Sequence, residues 1–102
     1  MNYMFIFNTT FVINISKFEM WDKWVRDTYK PLIKNLIPMS EIGIYEVMAA
    51  EKKEERTVSV QCKVATPSDL EAINKQSLVV LGQMSSEFGQ DALYFSTILK
   101  SL

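Results

Sequence analysis

The segment RTVSVQCKVATPSD, residues 56–69, constrains the fold more than any other. Val58, Val60, Cys62 and Val64 fall on one side of an extended chain, and Thr57, Ser59, Gln61 and Lys63 on the other. A period of two with one apolar side is the mark of a strand with one core face. The alternation stops at a helix start. Thr66 is a hydroxyl cap, Pro67 takes the first helical position, where its missing amide hydrogen costs nothing, and Asp69 completes a capping box. The polar side of this strand then has to meet something: water, a second subunit or a ligand.

The same plan recurs nearer the N-terminus. Residues 4–15 alternate, with Phe5, Phe7, Thr9, Phe11, Ile13 and Ile15 on one side and Met4, Ile6, Asn8, Thr10, Val12 and Asn14 on the other. Ser16 with Glu19 reads as a capping box that opens a helix. Phe18, Trp21, Val25, Thr28 and Leu32 recur at helical steps, Trp24 widens the stripe, and Pro31 is expected to kink the helix or start a new turn. Residues 41–50 read as a second strand and EKKEE (51–55) as a charged, solvated hairpin tip. The second helix buries Leu70, Ile73, Ser77, Val80 or Leu81, and Met84. Gly89 suits the turn after it, and ALYFSTIL (92–99) is a fourth strand. The order β-α-β-β-α-β predicts a single α+β domain over 1–102, a ferredoxin-like sandwich. Its two helices should cover one face of a four-stranded antiparallel sheet, with the first and third strands central.

Composition removes several functions. With one cysteine and no histidine, an internal disulfide is impossible and a zinc, copper or haem site lacks its usual ligands, so no metal or cofactor is expected. The lone thiol fits a reducing compartment, and the expected location is cytoplasmic. A net charge of −1 with mixed signs argues against duplex DNA or an anionic membrane as partner. The apolar N-terminal run lacks a basic leader, is interrupted by Asn8 and Asn14, and is too short to span a bilayer. The Asn8-Thr-Thr glycosylation pattern is taken as chance. There is no serine–histidine–acid set, no cysteine–histidine pair and no glycine-rich phosphate loop.

The uncovered sheet face is expected to carry Thr57, Ser59, Gln61 and Lys63 from the third strand, Asn8, Thr10, Val12 and Asn14 from the first, and Tyr94, Ser96 and Ile98 from the fourth. Water could cover it, a second copy could pack on it, or single-stranded nucleic acid could bind there. The third strand offers no aromatic for bases to stack on, so nucleic acid is set aside and the second copy is preferred. Cys62 is expected to be a small core residue, and Trp21 and Trp24 core and interface bulk. Lys63 beside Gln61 either anchors an anion or reaches solvent. Tyr29, beside the expected proline kink, either faces a pocket or packs.

FNTTFVINIS, MWDKWVRDTYKPLI, VSVQCKVATPSDLEAI and the closing FSTIL together resemble the domain-of-unknown-function family 4286, DUF4286, over nearly the whole chain from Met4. The resemblance implies small bacterial proteins, frequent in gut Bacteroidetes, and a ferredoxin-like homodimer of the dimeric α+β barrel type. It implies no established activity. The family pattern HIP is replaced here by YKP, which puts Tyr29 in place of a histidine, and Gln61 matches a recurring glutamine. The leading expectation is therefore a non-enzymatic homodimer joined through the open sheet face, with no catalytic residue, holding a small molecule between sheet and helices. Asn8, Trp24, Tyr29 and Gln61 are its ligand-binding candidates. A cofactor-free enzyme of the monooxygenase or isomerase kind, working through the same four residues, and an accessory subunit that binds another protein are the alternatives.

Overall fold

The computed structural model describes residues 3–48 and 54–102. Four strands, β1 (Phe5–Asn14), β2 (Glu41–Glu46), β3 (Glu55–Val64) and β4 (Ala92–Lys100), form one antiparallel sheet in the order β2-β3-β1-β4. The expected α+β, ferredoxin-like order and the central placing of the first and third strands are found. The expected barrel is not. The sheet is open, and its edge strands β2 and β4 each pair on one side only and not with each other. Four strands are too few to close around a filled interior, and helices cover one face instead. The charged tip expected at 51–55 and the end of the second strand at 49–50 lie largely outside the described residues.

The strand alternation puts Phe7, Phe11 and Ile13 of β1 and Val58, Val60, Cys62 and Val64 of β3 into the core beneath the helices. Thr66 caps α3 (Pro67–Phe88), its Oγ1 accepting the Asp69 amide at 3.1 Å. The helix ends at Gly89, whose φ of +57° is a conformation that suits a residue without a side chain.

The first helical run corrects one expectation and bears out another. Ser16 is not its cap. Asn14 Oδ1 accepts the Ser16 amide at 3.0 Å and the Ser16 hydroxyl at 2.9 Å, a local turn that opens a 3₁₀ segment ahead of α1 (Phe18–Trp24). Pro31 stands in the first turn of a new helical segment, as expected, but the joint is wider than a simple kink. A π-helical turn, Val25–Tyr29, joins α1 to α2 (Lys30–Leu36), with the Lys30 amide donating to the Val25 carbonyl. The wider turn just before Pro31 is where the backbone can accommodate its ring and missing donor. It also moves the buried stripe. Trp21, Val25, Tyr29 and Ile33 are buried, whereas Thr28 is exposed. Steps of four drift around an ideal α-helix of 3.6 residues per turn, and a turn holding more residues takes up that drift.

Candidate functional site

The sheet divides the four candidate residues into two pairs. Trp24 and Tyr29 lie on the helix side, and Asn8 and Gln61 lie on the open side. On the helix side the two rings stack at 5.3 Å with an interplanar angle of 12°. Residues five apart meet in this way because the π turn lies between them. The Tyr29 hydroxyl is 3.0 Å from Ser77 Oγ of α3, and Thr9 Oγ1 is 3.0 Å from Ser96 Oγ. Tyr29 has no exposed surface. Burial first, and then the field of Cys62, push its hydroxyl up to about 12, while hydrogen bonds with Ser77 and Thr9 pull the other way. Burial likewise pushes the Cys62 thiol up to about 12. Both groups stay neutral and protonated near pH 7, so neither supplies a ready phenolate base or thiolate nucleophile. The Trp21 indole nitrogen is buried without a hydrogen-bond partner among the described residues. Trp21, Phe11 and Met84 are buried in the layer between sheet and helices, where the ligand was expected.

The open side is different. Register places Gly43, Gln61, Asn8 and Thr97 in one row across the four strands, and Tyr45, Ser59, Thr10 and Phe95 in the next. Glu41, Lys63, Ile6 and Leu99 form the row on the other side. Asn8 is the hub. Its Oδ1 accepts from Ser59 Oγ at 2.6 Å, and its Nδ2 donates to Thr10 at 3.4 Å and Thr97 at 3.5 Å. Gln61 Nε2 donates to Ser59 Oγ at 3.4 Å. Gly43 has a local reason: a side chain there would run into the Tyr45 ring, which lies over it.

The fourth strand contributes other residues than the sequence indicated. Tyr94, Ser96 and Ile98 pair with Phe11, Thr9 and Phe7 and so face the helix side. Leu93, Phe95, Thr97 and Leu99 pair with Val12, Thr10, Asn8 and Ile6 and stand on the open side. Alternation cannot tell the two sides apart when both carry large apolar residues. The consequence is an open face with a polar centre and an apolar border, with Phe95 at 60% and Leu93 at 55% exposure. Beside Lys63 and Ile6, at the end of this face, lies a notch of about 700 Å³.

Among the described residues, no group of His, Cys, Asp and Glu side chains could hold a metal ion, and no helix is long and apolar enough to cross a membrane. A family model described as domain of unknown function DUF4286 matches residues 4–102. Among curated proteins no match was found. The chain is similar to a dimeric ferredoxin-like protein from an uncultured marine organism, with 15% identity and a TM-score of 0.65 over 99% of this chain and 97% of that one. It is also similar to the de novo designed protein Foldit4, with 10% identity and a TM-score of 0.65 over 96% of this chain and 98% of that one. At these identities the likeness is one of fold.

Proposed function

We infer that this chain, which belongs to the DUF4286 family, works as a homodimeric binding module whose two open sheet faces meet. One observation carries the reading: Leu93, Phe95, Leu99 and Tyr45 are large, exposed and arranged around the Asn8 network on a single face. Large exposed apolar side chains grouped on one sheet face are a common mark of an interaction surface, and a second copy would cover them. The molecule measures 38 × 28 × 18 Å, so its broad side is large enough to supply the roughly 800 Å² per partner that a stable interface needs. A two-fold contact is self-complementary, so the apolar border of one copy meets that of the other and the polar centres face across a gap. The marine ferredoxin-like protein is described as dimeric, which supports a dimer here.

The small molecule belongs to this face in our reading, because core side chains occupy the layer between sheet and helices. Asn8 and Gln61 remain its ligand-binding residues, while Trp24 and Tyr29 hold the helices in place. A bacterial source of the Bacteroidetes type and a cytoplasmic location complete the proposal, the latter supported by the single buried thiol.

Native mass spectrometry on protein purified without denaturation tests it. The expected species is a dimer. A monomer at micromolar concentration would overturn the reading.

A further inference from the structure

We propose that the notch at the end of the open face is a binding site for a small organic anion with an apolar body. The proposal rests on the homodimer reading for its closure, since the second copy would roof a notch that is open in one chain. The observations beneath it belong to the single chain. Met4, Ile6 and Leu99 supply apolar surface, and Lys63, Lys100 and Tyr3 line the same hollow. Its volume, about 700 Å³, lies within the range of small-molecule sites. Backbone hydrogen bonds make it firm: the Met4 amide donates to the Val64 carbonyl and the Ser101 amide to the Met4 carbonyl, both continuing the sheet past its strand ends. The Tyr3 hydroxyl donates to the Met39 carbonyl at 3.1 Å, which ties the chain before β1 to the connection ahead of β2.

The charge of the ligand follows from Lys63. It stands on the open face between Ile6 and Glu41, two residues from Gln61. Its only ion pair among the described residues is with Glu41, at 3.9 Å, the outer limit for such a contact. An exposed pair of that length is weak and leaves the ammonium free to turn to another anion. Lys100, whose place opposite Phe5 turns its side chain to the helix side, lines the notch without adding a second ammonium on the open face. A carboxylate or phosphate head would sit on Lys63 with the Gln61 amide beside it. The apolar body would lie along Ile6, Leu99 and Met4, a neutral ligand leaving Lys63 with only its long contact to Glu41. Glu41 then acts as a competitor for the same cation.

Decanoate and its neutral counterpart decanol are the probes, titrated into the full chain by calorimetry, with light scattering on the same samples. Decanoate is expected to bind at least about tenfold more tightly than decanol, and Lys63→Gln is expected to erase that difference. Glu41→Gln, which frees the cation, should tighten decanoate binding severalfold. No saturable decanoate binding, equal binding of the two probes, or a preference that survives Lys63→Gln overturns the site. The two readings fail separately. A dimer that does not bind decanoate overturns the site and leaves the homodimer standing. A monomer that binds with the lysine-dependent preference supports the site and overturns the homodimer.

Discussion

Phe95→Asp is expected to turn the dimer into a monomer while leaving the chain folded. Phe95 sits in the row with Thr10, Ser59 and Tyr45 and is 60% exposed in the single chain. A fully covered phenylalanine buries on the order of 200 Å². The part still to be covered by a partner is therefore roughly 120 Å² per copy, worth about 3 kcal/mol at the usual area coefficient. A two-fold interface uses the residue twice, which gives about 6 kcal/mol as a ceiling. Incomplete coverage and the ordering of side chains reduce this, and half of it is a reasonable expectation. Half still weakens dimerisation by about 100-fold. The paired aspartates would add repulsion. Sedimentation equilibrium over a concentration series measures the constant, and denaturant unfolding at a concentration where both forms are monomeric measures the chain itself. Because the side chain is mostly solvated in one copy, monomer stability should change by less than about 1 kcal/mol. A dissociation constant unchanged by Phe95→Asp would refute the argument, and so would a chain that unfolds.

Two further outcomes are expected. Tyr29 and Cys62 both have folded-state values near 12, above their ordinary 10.0 and 9.0, so the folded chain holds these protons more tightly and base favours the unfolded form. Their contribution is whole below about pH 9 and is lost as pH rises toward about 12. Unfolding curves taken across that window should show the decline, and Tyr29→Phe should flatten part of it; a flat wild-type profile would contradict the burial argument. At the start of the first helical run, Asn14→Ala should cost about 1 kcal/mol in denaturant unfolding and Ser16→Ala clearly less, since Asn14 Oδ1 is the acceptor; the reverse order would restore Ser16 as the cap.

Much of the architecture is local and therefore readable along the chain. Strand β3 announces its core face because Val58, Val60, Cys62 and Val64 alternate with polar residues, and Thr66, Pro67 and Gly89 mark helix ends through backbone chemistry confined to a few residues. The open-face placing of Asn8 and Gln61 is legible for the same reason, as polar residues on the uncovered side of central strands. Tertiary structure decided the rest. ALYFSTIL is apolar at both parities, so only pairing with β1 could say that Leu93, Phe95 and Leu99, rather than Tyr94 and Ile98, stand on the open face. The π turn before Pro31, which places Tyr29 in the core and stacks it on Trp24, leaves no period of its own in the sequence, because it is a compromise between a proline and the surface the helix covers. The barrel failed on the same ground: closure depends on whether edge strands reach a partner, and β2 and β4 remain separate edges of an open sheet. Side-chain order along a strand is written in the chain. Which strand lies beside it, and so which residues share a face, is settled only when distant segments pair.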